Sequence, residues 1–414
     1  TLRVGDGPHR LVRRGQPWIG GDAELRSSGL LVRARVREAR FRFAEALEDA
    51  ALAQRLSRET GDRRAEMAAL RQLGGPAWAG SGRPVESGIG HMRDALRLAE
   101  QLGDRGAQAE LLGWLAVLSS NQLRFVEALA YGRRAREAAR GAGGPALAAA
   151  FDGLKTAYAY LGEVAELSAL LAELEPLVRQ AGDLWLLQWC RFESAFPHLA
   201  AGRWAEAAAR VEEAMAINER SGYGSYTSWY LAHLGWIARL DGRRDDALEL
   251  ARRASTMDSH AWFTAAVDAF HGTTLVEYGN PAAAIPVLEH GLAVSASHRT
   301  TAYHLRCLAP LAEATGDRAL LDEADALLRA VVAPPGAAWL YGGDAYTSVA
   351  RAWLAHDEPA RALAVLEPLL AAGARTGWQA PLAAAEAVAA RARRQNSSAS
   401  SAAARSAPSV STGR

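Results

Sequence analysis

The sequence predicts an all-α protein, a right-handed superhelical solenoid of about nine antiparallel helix hairpins with a period near forty residues. Three observations carry this: a helix-favouring composition, a short segment that recurs at a fixed period, and small residues at two fixed places in each period. Ala, Leu and Arg, all strong helix formers, dominate the chain, while β-branched residues are sparse. Of the 414 residues, 50% are hydrophobic, which supplies a sizeable core. That length ordinarily means two or three domains, but a repeat array grows by adding units.

The recurring segment is a turn residue, often Arg, then one or two variable residues, an acid and a small residue. It reads Arg42-Phe43-Ala44-Glu45-Ala46, Arg83-Pro84-Val85-Glu86-Ser87, Arg124-Phe125-Val126-Glu127-Ala128 and Arg203-Trp204-Ala205-Glu206-Ala207. Looser copies end at Ala247 and Ala362, and weak copies at Leu167, Ala284 and Leu321. The nine end positions are spaced 41, 41, 39, 40, 40, 37, 37 and 41 residues apart. Each opens an amphipathic helix; after Ala207 come Val211, Ala214, Met215 and Ile217 at helical spacing. Several of these helices end in Gly-Asp: Gly61-Asp62, Gly103-Asp104 and Gly182-Asp183. Gly supplies a left-handed C-cap, and Asp caps the helix that follows. A second helix then runs to the next copy, so each unit is an antiparallel hairpin.

Twelve residues before each end position lie Ala34, Gly75, Ala116, Lys155, Ala195, Gly235, Gly272, Ala309 and Ala350. Eight of these nine are Gly or Ala. Gly inside a helix costs up to about 1 kcal/mol relative to Ala, so Gly235 and Gly272 require a packing reason. Close approach of the two helices of a hairpin provides it.

These features resemble tetratricopeptide repeats in a lengthened form. The turn segment, together with endings such as Leu102-Gly103-Asp104-Arg105, is similar to the repeat region of large bacterial signal-transduction ATPases. That group includes the long LuxR-type transcriptional activators. The resemblance covers residues 27–394 and implies a sensor region. It implies no catalytic residues and no cofactor. No Gly-x-x-x-x-Gly-Lys-Ser/Thr phosphate loop is present, and the sole lysine, Lys155, does not follow a glycine. Residues 1–26 are expected to form an irregular segment or partial cap, and residues 395–414 a disordered Ser/Ala-rich tail. The chain begins at Thr1, which fits a piece of a longer polypeptide or a processed one.

The formal net charge of +1 gives no field to steer the chain toward nucleic acid or an anionic membrane. No apolar run is long enough to span a bilayer. The two cysteines, Cys190 and Cys307, are too far apart for a disulfide framework or zinc spacing. His304 and Cys307 share one helix face, but two ligands do not make a metal site. A reduced cytoplasm is the expected setting.

Projecting the repeat onto the first helix of each unit points Trp189, Phe192 and Phe196 into the concave face of the fifth unit. Trp229, Trp236 and Arg239 follow in the sixth, and Tyr303 and Arg306 in the eighth. Aromatic rings with guanidinium groups suit a sugar, a small aromatic ligand or a peptide. The same residues fit the core if the register is shifted by one. Lys155 stands at a small-residue site, so either its unit is distorted or its side chain reaches the groove. The expected function is non-catalytic binding of a protein or peptide partner, or of a small ligand, in the groove. Two settings follow: a sensor domain with an ATPase domain in the same polypeptide, or a stand-alone scaffold.

Overall fold

The computed structural model describes residues 23–406 apart from 39, 41, 141–143, 223 and 381. It is a right-handed superhelix of helical hairpins, with no strand among the described residues. The first hairpin is α1 (Ala23–Glu38) and α2 (Phe43–Thr60); the second is α3 (Arg63–Gly74), its short continuation α4 (Pro76–Gly80), and α5 (Val85–Gln101). Then come α6 (Arg105–Asn121) with α7 (Phe125–Ala139), and α8 (Gly144–Leu161) with α9 (Val164–Ala181). The fifth unit holds α10 (Leu184–Glu193), its continuation α11 (Phe196–Ala200), and α12 (Trp204–Ser221). The rest are α13 (Thr227–Leu240) with α14 (Arg244–Thr256), α15 (Ala261–Glu277) with α16 (Pro281–His298), α17 (Thr301–Thr315) with α18 (Arg318–Arg329), and α19 (Gly343–Ala355) with α20 (Pro359–Thr376). A last helix, α21 (Leu382–Ser406), covers the end of the array. It runs past Arg394, where the sequence placed the start of a tail, and α1 begins before residue 27. Residues 1–22 and 407–414 of the two expected terminal segments lie outside the described residues.

The caps form as their sequences dictate. Gly61 and Gly182 adopt φ of 74° and 67°, and Asp62 and Asp183 accept from the first free N–H groups of α3 and α10. Two first helices are split, at Gly75-Pro76 and before Phe196-Pro197, and Pro76 and Pro197 stand in the first turn of the continuations, where no N–H is needed. The small-residue sites are contact points. A Cβ on Gly235 would lie 3.1 Å from the Ala251 nitrogen and 3.3 Å from the Ala247 oxygen. The second unit is shifted by one residue from the sequence register. Ser87 is exposed, while Gly88 is buried and packs against Trp78, and Gly74 rather than Gly75 meets the Gly88 carbonyl.

The superhelix is tight enough for successive turns to touch. The Phe125 N–H donates to the Val332 carbonyl at 2.7 Å, and the Val332 N–H to the Leu123 carbonyl at 3.0 Å. The Gln122 amide donates to the Arg299 carbonyl at 2.9 Å, and the Gln379 N–H to the Ala200 carbonyl at 2.8 Å. First helices therefore run along a closed axis. In α13 every residue from Ser228 to Arg239 is buried, as expected of a helix covered on all sides.

The segment between α18 and α19 turns inward and fills this axis. Ala338, Trp339, Leu340 and Tyr341 are each 2% exposed or less. The Tyr341 hydroxyl lies 2.6 Å from His233 Nε2, and the Arg306 guanidinium donates to the Tyr341 carbonyl.

Candidate functional site

The first helices carry aromatic residues at the positions that face the axis, and in units three to eight these rings converge. Trp114 comes from α6, Trp185 and Trp189 from α10, Trp229 from α13, Trp262 and Phe263 from α15, and Tyr303 from α17. The centroid of Trp189 lies 5.7 Å from that of Phe263, and Trp229 lies 4.4 Å from Phe263. Together the rings line an inner chamber of about 110 Å³ that is open on one side. An outer chamber of about 740 Å³ adjoins it and shares Trp114, Asp152, Trp185, Tyr226 and His260 as lining. Its wall includes Arg35 and Glu38 of α1, Arg71 of α3 and Glu110 of α6.

The floor of the inner chamber is charged. Lys155, 2% exposed, places its ammonium 2.7 Å from Asp152, one helical turn before it, and 2.6 Å from Glu193 on the next first helix. The Thr156 hydroxyl lies 3.4 Å from Glu193. Burial, reinforced by Asp152, pushes the Glu193 carboxyl up to about 7 against the pull of Lys155. The adjoining Cys190 thiol is raised by burial to about 12, so it stays protonated. His260 is held neutral because burial lowers it to about 4. The chamber thus offers rings and carboxylates, with its single ammonium already paired on two sides.

Of the eight residues that the sequence aimed at the groove, Trp189, Phe192, Trp229 and Tyr303 line the inner chamber. The other four lie deeper along the axis, where the inward segment occupies the space. Phe196 packs at 5.3 Å and Trp236 at 5.8 Å from the Tyr341 ring, and both are 1% exposed. Arg239 is buried between Glu277 and Asp344. Arg306 stacks 4.1 Å from the Tyr341 ring centroid, with Phe270 and Trp339 beside it. Neither guanidinium faces the chamber. Lys155 does reach the axis, one of the two outcomes its unusual position allowed.

Sequence reasoning missed Trp114, Trp185 and Trp262. Trp185 stands four residues before Trp189, so its helical face was readable. The acid partners of Lys155 were readable in part, since Asp152 precedes it at i−3. Among the described residues no group of three or more His, Cys, Asp or Glu is placed to hold a metal ion, and no helix is long and apolar enough to cross a membrane.

A tetratricopeptide-repeat family model matches residues 194–259, the region of the fifth and sixth hairpins. No curated protein sequence matches the chain. Among solved structures, the chain is similar to a Rap protein complexed with competence and sporulation factor, at TM-score 0.62 and 12% identity, over 85% of this chain and 99% of that one. It is also similar to the Rap conjugation gene regulator of plasmid pLS20 in complex with the Phr* peptide, at TM-score 0.54 and 11% identity, over 83% and 95% of the two chains. The repeat register, the hairpin packing and the family match agree: this chain is a tetratricopeptide-like helical-repeat protein.

Proposed function

We propose that the chain is a non-catalytic binding and sensor domain. It takes a small ligand, or one side chain of a protein segment, into the inner chamber and lays the remainder in the outer one. The observation that carries this is the pair of adjoining chambers on the superhelix axis, the inner one walled by aromatic rings over a paired polar floor. Such a site buries a compact group and orients it with few polar contacts. Two structural neighbours of this fold were solved with a factor or peptide bound, which supports a peptide-sized occupant for the outer chamber. The turn segments and Gly-Asp endings support placement in a bacterial transcriptional regulator or signal-transduction ATPase, with residues 27–394 as the sensor. An upstream reading frame that continues into a phosphate-loop domain would bear this out, whereas a start codon next to Thr1 would favour a stand-alone scaffold.

Binding is read from intrinsic tryptophan fluorescence while the chain is screened against short peptides and small metabolites. A hit should be saturable. Trp189→Ala, at the chamber wall, should reduce its affinity at least about tenfold with the circular dichroism unchanged. A hit that binds Trp189→Ala with undiminished affinity would move the site elsewhere.

A further inference from the structure

The charges around the two chambers are unequal. Carboxylates on their walls are Glu38, Glu110, Asp152, Asp183 and Glu193. Cations there are Arg35, Arg71 and Lys155. Arg71 is engaged by Glu110, and Lys155 by both Asp152 and Glu193. Arg239 is buried between two carboxylates, and Arg306 lies behind Tyr341 against three rings. The inner chamber therefore meets its occupant with π-faces and with the Asp152 carboxylate, which shares Lys155 with Glu193. Asp152 lines both chambers, at the point where they adjoin.

Size narrows the occupant further. A cavity of roughly 150 Å³ accepts a benzene molecule, and the inner chamber measures about 110 Å³. A single compact group fits there, and the remainder of a ligand does not. Aromatic rings attract a desolvated cation through their quadrupoles, tryptophan most strongly.

Resting on the reading of these chambers as the ligand site, we infer that the inner chamber receives an alkylammonium head. The rings of Trp185, Trp189 and Trp229 surround it, and Asp152 supplies the counter-charge. The rest of the ligand extends into the outer chamber. The ammonium belongs either to a free small amine or to a lysine side chain of a polypeptide.

The test is calorimetric titration of the full chain at constant ionic strength with choline chloride. It is compared with 3,3-dimethylbutan-1-ol, the neutral molecule of nearly the same shape, and with N-acetyl-lysine methylamide. At least one ammonium probe should bind saturably and about tenfold tighter than the alcohol. Choline binding better than the lysine amide assigns a free amine, and the reverse order assigns a lysine side chain. Asp152→Asn should weaken the ammonium probe about tenfold and leave the alcohol unchanged. If Asp152→Asn does not fold, Trp185→Leu on the partly exposed rim replaces it and should weaken the ammonium probe more than the alcohol. An alcohol that binds as tightly as both ammonium probes overturns the cation assignment and leaves the site standing. If none of the three probes binds, the cation assignment falls, and the site itself is decided by the peptide and metabolite screen with Trp189→Ala.

Discussion

A lysine ammonium with 2% exposure persists only because two carboxylates meet it. The lost hydration is offset by the attraction of a close pair in a low-dielectric interior, and removing one partner leaves the other charged and alone. Lys155→Met should therefore cost about 3–5 kcal/mol in urea denaturation. Lys155→Met combined with Glu193→Leu should cost less than Lys155→Met alone, because the pair is then replaced by packed apolar groups. A double-variant cost equal to the sum of the Lys155→Met and Glu193→Leu costs would mean that the two do not depend on each other. His233 poses the complementary problem. Its Nδ1 lies 2.8 Å from the Trp229 carbonyl, which only accepts, so Nδ1 carries the proton and Nε2 accepts from the Tyr341 hydroxyl. Burial pushes its pKa down to about 3, and that of His260 to about 4, from an ordinary 6.5. The unfolded chain takes up protons below 6.5 that the folded chain refuses, so this contribution to stability is complete above 6.5 and lost as pH falls toward 4 and 3. Glu193 acts in the opposite sense: raised from 4.5 to about 7, its contribution is complete below 4.5 and lost as pH rises through 7. His233→Gln should lower the melting temperature at pH 8, yet lose less on going to pH 5 than the unsubstituted chain does. A variant whose melting temperature falls as steeply as the parent's would acquit His233 as an acid-labile group.

Helices in this array are positioned by what their glycines lack. A Cβ on Gly113 in α6 would stand 2.2 Å from the Ala149 carbonyl oxygen of α8, and backbone has no room to yield. Gly90, in the middle of α5, is exposed and has nothing within 4 Å of its missing Cβ. Gly113→Ala should destabilise the protein by about 1–3 kcal/mol through overpacking. Gly90→Ala should stabilise it by about 0.4–1 kcal/mol, because the unfolded chain loses freedom and the helix is unobstructed. Chemical denaturation of the two variants side by side checks the opposite signs. The same elements mark what the sequence could and could not reveal. Helix ends were readable because Gly-Asp pairs act locally, and Gly61-Asp62 caps its neighbours as its chemistry requires. The hairpin period was readable because each unit repeats one packing problem. The one-residue shift at Ser87 and Gly88 was not, since Arg-Pro-Val-Glu-Ser keeps the spacing while Pro84 moves the helix start to Val85. The inward segment escaped for a similar reason. Its residues outside the helices are balanced by α18, which has 12 residues where α2, α9, α12, α16 and α20 have 18, so the unit length stays at 41. Four of the eight groove residues were placed on the chamber by helical phase alone; the other four were lost to a segment that local pattern does not place.

An open solenoid is held together by nearest-neighbour interfaces, so damage to one repeat stays near it. Here the axis ties distant units directly. Tyr341, between the eighth and ninth hairpins, bonds His233 in the sixth, packs 4.9 Å from Tyr160 in the fourth and 5.3 Å from Phe196 in the fifth. Outside the axis, Phe125 and Val332 join the third unit to the same segment, and Arg375 pairs with Glu163 across the turn. The exposed Arg375–Glu163 pair contributes little, since such pairs are worth about 0–1 kcal/mol. The coupling resides in the buried rings. Truncating Tyr341 to Ala removes a hydrogen-bond donor from His233 and opens a void bounded by four units. We expect Tyr341→Ala to cost about 3–5 kcal/mol, the range for removing a large buried ring. Hydrogen exchange should locate where that loss is felt. Amides of α8 and α13 should lose protection together with those of α19, although they lie more than 100 residues away in the chain. Loss confined to α18, α19 and α20 would show that the units respond as independent neighbours, and that the closed axis carries no coupling between turns.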